Sequence, residues 1–335
     1  MPAQPSQRFS VAPMMDWTDA HFRRFARICS QRALLYTEMV PAEGLWHAGA
    51  ERFLLDERDI APVAVQFGGA EPARLAHAAA QAEAYGYAEV NLNVGCPSDR
   101  VKSGRFGACL MAEPEHVAEL VAAMGESTRL PVTVKTRIGI DQLDSYQHLA
   151  GFVETVAKAG CGRFIVHARK AWLSGLSPKQ NREIPPLDYG RVRRLKADFP
   201  HLEVVLNGGI ADLDAAAGLL EEVDGVMLGR AAYQNPGLLE AVDRRVFGDA
   251  GPPRLQEQLV REYLPYVEQR LVAGERLSRM ARHLVGLFPG RAGARQWRRY
   301  LSEAGARRGA GVEVIEQALA RLAPEPAAQR AAPAI

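Results

Sequence analysis

Short runs rich in Val, Ile and Leu recur along the first three quarters of the chain. They fall at 9–13 (FSVAP), 33–39 (ALLYTEM), 62–68 (PVAVQFG), 88–93 (AEVNLN), 131–137 (PVTVKTR), 163–169 (RFIVHAR), 203–209 (EVVLNGG) and 225–230 (GVMLGR). Several are too apolar for a strand with one wet face and suit parallel strands covered on both sides. Amphipathic helical patterns separate them, as at 72–86, 115–124 and 212–223. The first of these opens with Pro72 and closes near Gly86, a proline inside the start and a glycine near the end. Eight β-α units in about 240 residues predict a TIM (β/α)8 barrel over 9–247. A doubly wound sheet is the alternative, but it does not require eight strands at this spacing.

After Phe247 the pattern changes. GDAGPPR (248–254) has the composition of a linker. Helical periodicity without β-type runs follows at 255–274, 276–288, 293–305 and 311–322, which predicts a small helical bundle over 254–323. Overall, 47% apolar and 24% charged residues are ordinary globular values, so disorder is expected only in the Pro- and Ala-rich tails, 1–8 and 324–335. No apolar run approaches the ~20 residues of a membrane span, and the N-terminus lacks a signal-peptide pattern, so a cytoplasmic protein is expected. The four cysteines show no C-x-x-C spacing, which suggests neither a metal site nor a disulfide framework. Cys29, Cys109 and Cys161 read as small buried apolar groups.

The polar residues within the strand runs are not scattered. Met14, Gln66, Asn91, Asn93, Lys135, Arg137, His167, Asn207 and Arg230 each sit at or just past the apolar part of a strand, on its C-terminal side. In a (β/α)8 barrel those ends converge on one mouth, where the active site lies. Any one of them alone fits a satisfied polar group plugging the barrel. Their recurrence on most strands favours a site.

Two glycine loops, in 204–212 (VVLNGGIAD) and 225–236 (GVMLGRAAYQNP), follow the last two strands. Backbone N–H groups bared by glycine bind phosphate, and TIM barrels commonly hold a phosphate at this place. Gly208, Gly209, Gly229 and Arg230 are therefore candidate phosphate ligands, against the plainer reading of two tight turns. Lys135 and His167, on the fifth and sixth strands, would stand beside whatever that phosphate belongs to. A buried lysine without a partner is costly; a histidine alone is more often a packed, hydrogen-bonded residue.

In VNLNVGCPS (90–98) a cysteine stands on the lip of the fourth strand, between Gly95 and Pro97. Thiols titrate at about 8.5 in water, so at neutral pH they keep a proton that a rigid loop can present as a general acid. That position removes Cys96 from the class of inert cysteines.

The net charge of +2 conceals a local excess: between Arg276 and Arg308 nine arginines face a single acid, Glu303. Arg291, Arg295, Arg298 and Arg299 recur at helical spacing and share a face, with Trp297 and Tyr300 interleaved. A solvated charge face is the common reading of such runs, but phosphodiester binding accounts better for an uncompensated one. Lys179 and Arg182, in the loop at 174–186, extend that basic track towards the mouth.

Taken together, APMMDWTD (12–19), VNLNVGCPS, the K-x-R of VKTRIG, IVHAR, LNGGI and GVMLGRA resemble the tRNA-dihydrouridine synthases, flavoenzymes that reduce uridine in tRNA. The resemblance runs from about Phe9 to Leu322, and the loop at 167–187 is similar to the A subgroup, which acts at positions 20 and 20a of the D-loop. It implies an FMN-binding catalytic barrel followed by a helical tRNA-binding domain, with NADPH as reductant, no metal, no membrane, and a monomer. Carried over residue by residue, Pro13, Met14 and Met15 would lie along the flavin. Gln66 and Lys135 would bind its ring edge, and His167 its phosphate side or ring neighbourhood. Asn207, Gly208, Gly209, Gly229 and Arg230 would hold the ribityl phosphate. Asn93 would touch the target nucleotide; Lys179, Arg182, Arg295 and Arg298 would contact tRNA. Hydride would pass from reduced FMN to C6 of an extruded uracil, with Cys96 protonating C5 from the other face. Two rival readings remain: an FMN-dependent reductase of a small pyrimidine or enoate, which leaves the arginines idle, and an RNA-binding barrel without catalysis, against which Cys96, Lys135 and His167 argue.

Overall fold

The computed structural model describes residues 8–324; of the two expected tails, 1–8 and 324–335, all but Arg8 and Pro324 lie outside the described residues. Eight parallel strands follow one another around a closed barrel: β1 Phe9–Val11, β2 Leu34–Pro41, β3 Val63–Gly68, β4 Glu89–Val94, β5 Val132–Arg137, β6 Arg163–His167, β7 Glu203–Asn207 and β8 Gly225–Leu228, with β8 pairing back onto β1. The helices are α1 Ala20–Cys29, α2 Ala42–Ala48, α3 Pro72–Ala84, α4 Asp99–Ser103, α5 Pro114–Ser127, α6 Tyr146–Lys158, α7 Tyr189–Asp198, α8 Leu213–Leu219, α9 Arg230–Gln234 and α10 Val242–Phe247 around the barrel. Then come α11 Gln256–Val272, α12 Leu277–Ala281, α13 Ala294–Ala304 and α14 Glu313–Leu319. The expected architecture is the observed one. Among the described residues, no helix is long and apolar enough to cross a membrane.

Strand alternation decides which residues reach the mouth. Val63, Val65 and Phe67 of β3, Val90 and Leu92 of β4, and Phe164 and Val166 of β6 join a core that includes Leu75, Leu120 and Phe152 from the surrounding helices. The intervening residues point the other way, and Leu34, Tyr36, Ala64, Ile165, Val205 and Met227 form a second cluster that fills the lumen. Glu89, Asn91, Asn93, Thr133, Lys135 and Arg137 continue the inward rows, so these polar residues of apolar strands face one interior.

Deep in that interior lies an ionic plug. Glu89 accepts from Arg163 at 2.9 Å, from Thr133 at 2.6 Å and from Tyr36, while Arg163 reaches Glu203 at 2.5 Å. Burial pushes the Glu89 carboxyl up, and Arg163 opposes it. Such a pair holds its register because either partner alone would be an uncompensated buried charge.

The helical domain seats α11 on α1, where Tyr263 meets Phe25 edge-to-face at 5.3 Å. Trp297 of α13 is fully enclosed, packs on Phe288 and donates to the Leu284 carbonyl at 3.1 Å. Helical periodicity over 276–288 predicts one helix, yet α12 stops at Ala281. Beyond it the chain is pressed against the barrel: a Cβ at Gly286 would lie 2.2 Å from the Gln234 carbonyl oxygen.

Candidate active site

Cys96 is held by three elements at once. Asn93, at the end of β4, accepts from the Gly95 and Cys96 N–H groups at 3.1 and 3.0 Å, the Cys96 carbonyl accepts from Ala108 at 2.9 Å, and Arg137 donates to the Gly95 carbonyl at 2.8 Å. The thiol itself is half-exposed, with Ser98 Oγ 3.5 Å away. Asn93 also donates to Gln66 Oε1 at 2.7 Å, and Gln66 donates to Asn91 at 2.8 Å. Gln66 and Asn93 are therefore fixed in one buried amide ladder. Asn93, only 8% exposed, uses both ends of its amide inside the protein.

Lys135 neighbours Asn93 in the sheet and donates to Asn207 Oδ1 at 3.0 Å. Asn207 in turn donates to the Met227 carbonyl. Arg137, His167 and Asn207 stand side by side on β5, β6 and β7. Burial, reinforced by Arg137 and opposed by Cys96, pushes the Lys135 ammonium down to about 7. Burial, with Arg137, Lys135, Arg169 and Arg182 behind it, holds the His167 imidazole well below its ordinary range, so it is neutral at physiological pH.

Arg182 stands at the surface, yet burial and Arg230 lower it while Cys96 opposes them. Arg230 pairs with Glu183 at 3.1 Å and reaches the Arg182 carbonyl. Among the described residues, Lys135, Arg137, Arg169 and Arg182 make no ion pair with a carboxylate. The mouth is a pocket of cations short of an anion.

The glycines shape one side of it. Gly208 and Gly209 adopt φ values of 117° and 69°. A Cβ at Gly208 would lie 2.7 Å from the His167 ring, and one at Gly229 would rest 3.6 Å from both Ala12 and the Met14 sulfur. Gly208→Ala is expected to cost about 1–3 kcal/mol, read as a lower urea midpoint, because the left-handed backbone and the His167 clash act together. Met14 packs on the lumen cluster, Pro13 is half-buried and Met15 is 55% exposed at the rim.

A model of the dihydrouridine synthase family matches residues 10–323. The chain is 57% identical to a tRNA-dihydrouridine(20/20a) synthase of Vibrio cholerae, over 95% of this chain and 97% of that one. It is 56% identical to the protein of the same name from Escherichia coli K12, over 94% and 91%. This chain belongs to the dihydrouridine synthase family. A solved structure of morphinone reductase superposes with a TM-score of 0.50 at 12% identity, covering 77% of this chain and 93% of that one, a likeness of fold.

In this family member the structure gathers Met14, Gln66, Asn93, Cys96, Lys135, His167, Asn207, Gly208, Gly209, Gly229, Arg182 and Arg230 at one end of the barrel. Lys179 is exposed on the loop after β6, and Arg295 and Arg298 are exposed on α13, away from the mouth. The expected arginine face is narrower than its spacing suggests. Arg291 pairs with Glu257 at 2.5 Å and donates to the Ala323 carbonyl, so tertiary acids that the linear count leaves out neutralise part of the excess. Cys29 and Cys161 are buried as expected, whereas Cys109 is half-exposed. Two positioning residues went unassigned. Arg137, two residues from Lys135 on the same face, ties the Cys96 loop to the Lys170 and Asn181 carbonyls of the loop after β6. Asn181, fully buried, folds that loop by bonding Trp172 N–H, Trp172 O and Leu176 O. Period-two alternation pointed to Arg137; no local pattern marks Asn181.

Proposed function

We propose that this protein reduces the C5–C6 double bond of uridine in the D-loop of tRNA, at positions 20 and 20a, with FMN as cofactor and NADPH as reductant. The observation that carries this reading is a thiol set on a rigidly held loop at a barrel mouth lined by Lys135, Arg137 and Arg182. The residues fit FMN: the glycine loops leave backbone room where a Cβ would strike His167 or fill the gap beside Met14, and Lys135, lowered by burial and by Arg137, is a cation that an anionic group would stabilise. Gln66 and Lys135 would hold the ring edge, with His167, Asn207, Gly208, Gly209, Gly229 and Arg230 around the phosphate. When bound, FMN supplies the hydride for C6.

The chain's own share is positional and electrostatic. The amide of Asn93 and the guanidinium of Arg137 fix the backbone leading into Cys96 and the Ala108 N–H holds its carbonyl, so its S–H group can be presented to C5 from one direction. Arg182, exposed on the loop after β6, would meet the extruded nucleotide. Lys135 would balance negative charge on the ring edge. The deciding experiment expresses the protein, records a flavin absorption spectrum, and maps dihydrouridine restored to tRNA from a strain lacking it. A colourless protein, or one active on free uridine but not on that tRNA, would reject the reading.

Arg295 and Arg298, exposed on α13, fit phosphodiester contacts. Replacing both with alanine should weaken tRNA binding and reduce the slope of log K against log salt by about 2, with FMN affinity unchanged.

A further inference from the structure

We propose that His283 is a positioning residue through which the helical domain sets the shape of the flavin end of the barrel mouth; this rests on the FMN reading above. His283 follows α12, has a fully enclosed side chain, and is inserted at the seam where the barrel closes. Its Nε2 lies 3.0 and 3.1 Å from the two carboxylate oxygens of Asp19. Asp19 caps α1 by accepting from Phe22 N–H at 3.0 Å, and it ends the loop that begins at Met14. On its flank, His283 meets Tyr233 of α9 edge-to-face at 5.8 Å. Tyr233 stacks on Trp17 of the same loop at 4.4 Å and 8°. Next to it, Arg282 donates to the Asp16 carbonyl.

These contacts make one relay. From Asp19 the loop runs back through Thr18, whose hydroxyl accepts from Met14 N–H at 2.9 Å and donates to its carbonyl at 3.2 Å. From Tyr233 the path is one helical turn to Arg230 and Gly229. The sulfur of Met14 is 3.6 Å from where a Cβ of Gly229 would sit. The two walls of the proposed cofactor cradle therefore meet closely, and His283 touches the support of each. Its Nδ1 is buried without a partner among the described residues. The imidazole is not placed to satisfy its own polar atoms; its side-chain hydrogen bond and its contacts with Phe22 and Tyr233 are all made with the barrel.

The test measures FMN binding to the full-length protein, without tRNA, for wild type, His283→Leu and His283→Gln, alongside visible circular dichroism of the bound flavin and the melting temperature. Glutamine can place an amide N–H where Nε2 stands. His283→Leu should weaken FMN binding about tenfold and alter the flavin dichroism, with His283→Gln recovering most of both. Leu-variant protein that binds FMN like wild type with unchanged dichroism, even if it melts earlier, would reduce His283 to domain glue and overturn the inference. Should His283→Leu fail to fold, Asp19→Asn keeps a good helix cap while removing the charge; it should shift FMN affinity in the same direction, and wild-type affinity and dichroism there would overturn the inference equally. Wild-type protein that binds no FMN would instead reject the cofactor reading beneath it.

Discussion

Cys96→Ala is expected to yield a protein that takes up flavin, oxidises NADPH and binds tRNA, yet forms dihydrouridine about 10²- to 10⁴-fold more slowly, the range for losing a positioned general acid. The geometry separates chemistry from folding here. Every contact that fixes the loop runs through backbone atoms of Gly95 and Cys96, held by Asn93, Arg137 and Ala108, and alanine leaves all of them in place. What disappears is the S–H group, which lies 3.5 Å from Ser98 Oγ. Cys96→Ser, with a far weaker acid in the same place, should fall between the two. The measurement is single-turnover dihydrouridine formation on unmodified tRNA with pre-reduced protein. A rate equal to wild type would remove Cys96 from the reaction.

FMN affinity should fall as pH rises above about 7, because Lys135 loses its proton there in the free protein. The sign follows from linkage. An ammonium depressed by burial is neutral above its folded pKa, while an anion bound beside it restores the charge, so binding takes up a proton. Affinity then drops by up to about tenfold per pH unit between roughly pH 7 and 9. Before any ligand binds, the same depression destabilises the fold wherever the unfolded chain would hold that proton, and stability rises as pH climbs from about 7 towards 10.5. Lys135→Met removes the buried ammonium. It should flatten the pH dependence of FMN binding and weaken binding about 10- to 100-fold at pH 7, the range for a hydrogen bond to a charged group. Fluorescence titration across pH reads both effects, and a wild-type curve that is flat with pH would contradict the assignment.

The barrel was legible because its code is local. Alternation along β3 to β7 places Val65, Leu92 and Val134 on one side and Gln66, Asn93 and Lys135 on the other, and no distant residue is needed to see it. The mouth was legible for the same reason, since every strand delivers its last inward residue to one end. What stayed hidden depends on contacts across the chain. Arg291 looks like its neighbours on α13 until Glu257 comes beside it. Trp297 reads as an interleaved aromatic, but Phe288 and the Leu284 carbonyl enclose it. The expected helix over 276–288 obeys helical spacing, and gives way because Gly286 must lie flat on Gln234. Asn93 stands at the mouth by its place on the strand and is a substrate contact by the family resemblance; only the folded loop shows how much of its amide is spent holding Gln66 and Cys96.

The Glu89–Arg163 plug has a kinetic corollary. With the far end of the lumen stopped by an ion pair, a tyrosine and a threonine, the barrel is a blind vessel rather than a conduit. On the proposed function, reductant and RNA would then share one door, and an excess of either visitor would obstruct the other.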